Sequence, residues 1–206
     1  MVVTSMLTFQ SHDEFLHFCG RIKQTLQQRP PRQIQIEKKS FKGSAVLIPL
    51  LYKDNEPYLL ITRRTNKVAT HKGEVSLPGG GIDPVDTTPL DTALRETHEE
   101  VGIKPEDITV LGEFDHFISI YGFHVYTFVG IIPYPYTLTI SHDEIESYTE
   151  VPLSLFVEEK YDNVEYYTYE GISYAIYYYH YKGYTIWGLT ARILTDFSRK
   201  VIKQII

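Results

Sequence analysis

The chain has 206 residues, enough for one domain with a sizeable core. Its hydrophobic share of 43% and charged share of 22% exclude a disordered chain. A net charge of −6, without any Lys/Arg-rich run, argues against a nucleic-acid backbone as main partner. One cysteine, Cys19, permits no intrachain disulfide and leans toward a reducing compartment. The first fifteen residues lack a basic segment followed by an apolar one, so no signal peptide is expected. The longest apolar stretch, Ala45 to Tyr52, is far too short for a membrane span. The expectation is a soluble cytoplasmic protein with no membrane partner.

Ser11 to Gln28 reads as a first helix. Ser11 and Glu14 form a capping-box pair, and Phe15, Phe18, Ile22 and Leu26 make one apolar stripe. Pro30 and Pro31 follow its end. This helix has two candidate partners, the main body or a second subunit, which leaves a homodimer open. Residues 1–43 are read as an extension packed on a domain spanning 44–206. Ser44 to Tyr52 reads as a buried strand, Lys53 to Pro57 as a turn, and Tyr58 to Arg63 as the returning strand. A polar loop runs from Arg64 to Lys72. A short extended piece, Glu74 to Leu77, enters the glycine turn after Pro78. Thr88 as N-cap, Pro89 at the first helical position and Gly102 as the stop delimit a second helix. Strand-like stretches follow at Ile108 to Ile118, His124 to Ile132 and Glu146 to Pro152. After them come a tyrosine-rich region, Glu165 to Trp187, and a last helix, Leu189 to Lys203. Strands predominate over three helices, which is an α+β pattern, not a doubly wound one.

The second helix carries the chemistry. Offsets of three and four place Glu96, Glu99 and Glu100 on one face. Leu90, Leu94, Thr97 and Val101 are expected to form its core stripe. Three like charges repel, so a metal-free helix gains nothing from them. Hard oxygen donors gathered this way suit Mg²⁺ or Mn²⁺. Arg95 adjoins Glu96 and precedes Glu99 by one turn, placed to neutralise part of the cluster. An E-x-x-E-E run alone reads more readily as a solvated helix face than as a metal site. The glycine run Gly79-Gly80-Gly81 just upstream permits close backbone approach to that helix and changes the balance.

Residues 79–103 resemble the Nudix box: Gly, five residues, Glu, seven residues, then R-E-U-x-E-E-x-G-U with U apolar. R-E-T-H-E-E-V-G-I fits, with Thr97 at the first apolar place. Residues 81–94 separate Gly80 from Arg95, one residue more than the general pattern, so the upstream acid is Asp86 or absent. The same departure resembles the coenzyme A diphosphatase branch, whose G-G-x-x-D-x-x-D is matched by Gly79, Gly80, Asp83 and Asp86. The stretch LLITRRTNKVATHKGEVSLPGG is similar to that branch's upstream motif, as are Val151-Pro152-Leu153 and Ile186 to Leu194. Thr65 replaces a Ser, and Ala69 stands where the branch carries Arg.

The resemblance implies a Nudix-type α/β/α sandwich with a mixed central sheet. It also implies hydrolysis of a nucleoside diphosphate linkage with Mg²⁺ or Mn²⁺. The leading substrate is coenzyme A or an acyl-coenzyme A, giving 4′-phosphopantetheine and 3′,5′-ADP. The rival is ADP-ribose, a dinucleotide or a damaged nucleoside triphosphate. A third reading is a non-catalytic Nudix-like sensor. Glu96, Glu99 and Glu100 are the expected metal ligands, and Glu96, Glu99, Glu144 and Arg95 the catalytic set. Glu144 is the favoured base from a later loop. Arg63, Arg64, Lys72, Gly79 and Gly80 are expected at the substrate phosphates. His71 and His124 are weaker candidates for ligands or acids, and His98 is read as surface.

Overall fold

The computed structural model describes residues 7–34, 41–66, 73–169 and 172–206. The strand at its centre, β1 (Lys42–Lys53), is apolar on both sides because both of its faces are covered. It runs parallel to β7 (Phe123–Ile131) over nine registered pairs, from Lys42↔Phe123 to Leu50↔Ile131. Along its other edge it pairs antiparallel with two different strands. At one end that strand is β4 (Gly79–Gly81); at the other it is β2 (Glu56–Arg64). Between them lies Pro49, a residue that weakens most central strands. The Leu50 carbonyl accepts from Ile132 N–H on the β7 side, so Pro49 turns its missing donor toward the gap between β4 and β2.

The sheet is completed by β3 (Val75–Ser76) and β8 (Ile145–Pro152) against β2, and by β5 (Thr109–Glu113) and β6 (Phe117–Ile118) against β7. Parallel and antiparallel pairs make it mixed. One face is covered by α2 (Pro89–Val101), whose Ala93 and Val101 pack on Ala45, Leu47 and Phe128. The opposite face is covered by α1 (His12–Gln28) and α4 (Gly188–Lys200), with Phe15, Ile22 and Phe197 against Ile48 and Leu50. The architecture is the α+β, α/β/α sandwich that the resemblance implied. Among the described residues no helix is long and apolar enough to cross a membrane.

Several boundaries differ from the sequence reading, each for a local reason. The expected turn from Lys53 to Pro57 is only Asp54-Asn55, both at positive φ (50° and 64°), as a two-residue hairpin with right-handed twist requires. The stretch Ile108 to Ile118 is two strands, because the ladder slips between Val110 and Gly112 and the chain leaves it at Phe114 to His116. A one-turn helix, α3 (Ser154–Val157), makes a fourth, and the last helix stops at Lys200. The tyrosine-rich region forms its own antiparallel sheet, β11–β10–β9, from β9 (Asn163–Tyr169), β10 (Ile172–Tyr181) and β11 (Tyr184–Ile186). The Ser11 hydroxyl accepts from Glu14 N–H at 3.2 Å as expected. The Glu14 carboxylate, however, reaches back to Gln10 N–H (2.7 Å), one residue beyond the box.

Candidate active site

The expected glycine turn is a strand. At Gly79 φ is +151°, and a Cβ there would lie 2.3 Å from the Ala45 carbonyl oxygen, so only glycine brings this backbone onto β1. At Gly80 a Cβ would stand 2.4 Å from the Glu96 carboxylate. The glycines therefore bring the backbone of β4 against the acidic ridge of α2.

That helix is locally well specified. The Thr88 hydroxyl accepts from Asp91 N–H (3.3 Å), and the Asp91 carboxylate accepts from Thr88 N–H (2.8 Å). Gly102 at φ 79° ends it. Its buried face is Thr92, Ala93, Thr97, Glu100 and Val101, while Leu90 and Leu94 lie at the margins. The three glutamates thus sit at three depths. Side-chain exposure is 51% for Glu99, 15% for Glu96 and 1% for Glu100.

Glu100 is the buried end of the ridge. Its Oε1 accepts from Arg64 Nη1 at 3.2 Å, and the Gly79 N–H also faces its carboxylate. Its Oε2 is buried without a hydrogen-bond partner among the described residues, as is Arg64 Nε. Burial pushes its pKa up to about 8, against the pull of the Arg64 charge, with Glu96 and Glu144 adding to the rise. Burial also raises Glu96, opposed by Arg95 and reinforced by Glu99 and Glu144.

Arg95 organises the remainder. Its Nε and Nη2 form a two-pronged bridge to Asp86, each at 2.9 Å. Nη1 donates to Glu96 (2.8 Å) and Glu99 (3.0 Å), and Nη2 also reaches the Gly81 carbonyl (3.3 Å). Asp86 further accepts from Thr92 Oγ1 (2.8 Å) and Asp83 N–H (2.9 Å). These bonds, led by Arg95, hold the Asp86 carboxyl well below the usual carboxylate range.

Glu144 is half-buried just before β8, close enough for its charge to act on both Glu96 and Glu100. Thr65 fastens its loop: Thr65 N–H donates to the Glu144 carbonyl (2.8 Å) and the Thr65 hydroxyl to the Asp143 carbonyl (3.0 Å). The sequence reading noted Thr65 only as a substitution for Ser.

The two arginines at the end of β2 part company, as successive strand residues do. Arg64 joins the carboxylates. Arg63 turns to the other side, donating to the Gly183 carbonyl (2.6 Å) and lying over the Tyr184 ring at 4.3 Å. Lys72, His71 and Ala69 lie outside the described residues. His98 is exposed. His124 belongs to a separate chain of hydrogen bonds. The Glu113 carboxylate accepts from His116 Nε2 (2.8 Å), and His116 Nδ1 faces His124 Nε2 (3.1 Å). Burial first, and then His116, lower the His124 pKa. Nothing in the residue spacing marked this pair.

Among the described residues, no three acidic, histidine or cysteine groups as they stand enclose a common point for an ion. Arg95 and Arg64 take up the carboxylate oxygens instead. The donor set still fits a hard divalent cation. Three carboxylates line one helix ridge, and the Glu100 oxygen, buried without a hydrogen-bond partner among the described residues, is an acceptor that a cation would satisfy.

A family model described as the NUDIX domain matches residues 41–170. A protein of Escherichia coli O7:K1 with the name Uncharacterized Nudix hydrolase NudL is 34% identical over 170 residues, covering 82% of this chain and 88% of its own length. The NudL of Salmonella heidelberg is 34% identical over 186 residues, covering 90% and 93%. Among solved structures, a MutT/nudix family protein from Enterococcus faecalis aligns over 95% of this chain and 69% of its own. That alignment has a TM-score of 0.48 and 18% identity.

Proposed function

The chain belongs to the Nudix family of hydrolases, and from that membership we propose that it cleaves the diphosphate of coenzyme A or an acyl-coenzyme A. The products are 4′-phosphopantetheine and 3′,5′-ADP. Nudix diphosphatases act on small nucleotide substrates and generally use divalent metal ions, which frames the substrate question. The observation that carries the coenzyme A reading is Asp86. It is the second aspartate of the G-G-x-x-D-x-x-D spacing, and it grips Arg95 with both oxygens. The extra residue between this acid and Arg95 therefore does not prevent a two-pronged bridge between them. The feature that separates this chain from the general box is one that the coenzyme A branch shares.

Glu96, Glu99 and Glu100 would hold the ion, Mg²⁺ or Mn²⁺. When bound, it neutralises phosphate oxygens and acidifies a water at neutral pH. The chain's own residues set the geometry. Arg95, immobilised by Asp86, keeps the Glu96 and Glu99 carboxylates side by side. Gly80 leaves the space that the Glu96 carboxylate fills. Arg64 balances the charge of Glu100 at the buried end. Glu144, held in place through Thr65, faces the same ridge and takes the proton of the attacking water.

Product analysis tests the substrate. Coenzyme A, ADP-ribose, NADH and a nucleoside triphosphate are each incubated with Mg²⁺ or Mn²⁺. The expected result is release of 3′,5′-ADP from coenzyme A at a kcat/KM well above the others. Faster turnover of another substrate would keep the diphosphatase chemistry and overturn the coenzyme A reading. Glu100→Gln and Glu99→Gln are each expected to lower turnover by at least about 10²-fold with the fold unchanged by circular dichroism. Wild-type turnover in either would remove that residue from the metal set.

A further inference from the structure

The sheet formed by β9, β10 and β11 is anchored on one side only. Tyr179 of β10 is fully buried, its ring against Phe156 and its hydroxyl 2.8 Å from Thr195 of α4. From there the β9–β10 ribbon runs outward, and among the described residues β9 is its outermost strand, with no strand paired to its far edge. Tyr166 and Tyr167 of β9 are 75% and 54% exposed, one on each face of the ribbon. Solvated edge strands are normally protected by lysine, proline or a bulge. Residues 163–181 contain no Lys, Arg or Pro. A ribbon of two strands exposed on both faces is marginal without further cover. Its tyrosines are the residue type that gives contact area at low entropic cost in interfaces.

We propose that the free edge of β9 is a homodimer interface, with β9 of two copies paired antiparallel about a two-fold axis at Tyr166. The register follows from described main-chain contacts. The Tyr178 carbonyl accepts from Asp162 N–H (2.8 Å), so Tyr178 turns its main-chain groups toward β9 and its register partner Asn163, and by alternation Glu165 and Tyr167 also spend theirs on β10. Val164, Tyr166 and Thr168 turn theirs to the open edge. An axis at Tyr166 places Glu165 opposite the partner's Tyr167, twice, and Val164 opposite the partner's Thr168, twice. A carboxylate facing a phenol is already satisfied within one chain, where the Tyr178 hydroxyl donates to Glu165 at 2.9 Å. An axis at Glu165 would oppose two carboxylates, which disfavours it. β9 carries no Lys or Arg, and the arginines near the ribbon, Arg192 and Arg199, lie over Tyr174 and Tyr177 of β10, not at the β9 edge, which disfavours nucleic acid and anionic membrane as occupants of that edge. A self-complementary edge fits a second copy, and the joined sheets have six strands.

Sedimentation of the full chain across micromolar to submillimolar protein tests this. The expected species has twice the 23.9 kDa chain mass and dissociates on dilution. Tyr166→Lys places like charges opposite each other across the axis and is expected to raise the dissociation constant by about tenfold or more, with an unchanged circular-dichroism spectrum. Register is read by oxidative cross-linking. The native thiol, Cys19, is buried. Tyr166→Cys should form a disulfide-linked dimer, whereas Thr168→Cys, which faces the partner's Val164, should not. A monomer throughout the concentration range, a dimer indifferent to Tyr166→Lys, or equal cross-linking at both positions would overturn the proposal.

Discussion

Asp86 shows how one residue can carry a family pattern at altered spacing. The general box places a glutamate there; this chain has an aspartate, one methylene shorter, with one more residue before Arg95. The bidentate bridge forms at 2.9 Å on both prongs, and the Thr92 hydroxyl fixes its orientation. Arg95 needs that anchor because its third nitrogen, Nη1, must serve Glu96 and Glu99 together. Asp86→Asn keeps the size and removes the charge, so one prong meets an amide that cannot accept. Arg95 then loses its fixed plane, and the two glutamates lose their spacing. With Glu96 and Glu99 as the proposed metal ligands, the expected outcome is a fall in kcat of about 10–100-fold, the usual cost of removing a group that orients such ligands. KM should change little, since Asp86 makes no contact that the substrate needs. Steady-state kinetics decides the point: a variant whose loss lies wholly in KM would place Asp86 in substrate binding instead.

Neighbouring glycines in β4 separate a structural role from a functional one. A methyl group at Gly79 meets main chain, the Ala45 oxygen at 2.3 Å and Val46 Cα at 2.7 Å, in a conformation that other residues avoid. A methyl group at Gly80 meets only the end of the Glu96 side chain, which can swing away. Gly79→Ala is therefore expected to destabilise the fold by about 2–4 kcal/mol, and Gly80→Ala by less than about 1 kcal/mol. Yet Gly80→Ala should lower turnover by about 10²-fold, because the carboxylate it displaces is one of the proposed metal ligands. Urea denaturation and kinetics on the pair check the contrast, and equal losses of stability would refute it. The same strand marks where the sequence stops being legible. α1 and α2 could be read because their signals are local: Ser11, the phenylalanine stripe, Thr88-Pro89 and Gly102 act within a few residues. Three consecutive glycines carry no local strand signal; only the distant pairing with Ser44 to Val46 makes them a strand. For the same reason the tyrosine-rich region could be marked off in the sequence but not recognised as a separate sheet. Glu100 misled in the opposite sense. Its spacing placed it correctly on the acidic ridge, but a carboxylate buried as deeply as Val101 is not what residue type suggests.

Asp115 ties the covering layers to the sheet and so governs the molecule's stability as a whole. It lies where the chain leaves β5, with its side chain 1% exposed. Its Oδ1 accepts from Arg29 Nη2 (2.6 Å), just past α1, and from Arg32 N–H (2.9 Å). Its Oδ2 accepts from Lys200 Nζ (3.0 Å) at the end of α4. One carboxylate thus joins both helices of one face to the sheet beneath them. Its burial alone would raise the pKa, but the Arg32 N–H, Arg29 and Lys200 outweigh that and hold it below its ordinary 3.8. Asp115→Asn removes the charge and leaves Arg29, whose Nη1 is already buried without a hydrogen-bond partner among the described residues, facing a neutral amide. A loss of about 2–4 kcal/mol is expected, somewhat below the roughly 3–5 kcal/mol of breaking a fully buried ion pair from one side, because Arg29 and Lys200 are themselves partly exposed. The sign of its pH dependence follows from the depressed pKa. The native form binds its proton less readily than the unfolded chain, so the carboxylate's contribution is complete above 3.8 and is lost as pH falls through the native value. The stability gap between wild type and Asp115→Asn, measured by urea denaturation, should therefore be flat at neutral pH and narrow only on the acid side. A gap that persisted undiminished well below the ordinary aspartate pKa would mean that packing, not charge, holds the three elements together.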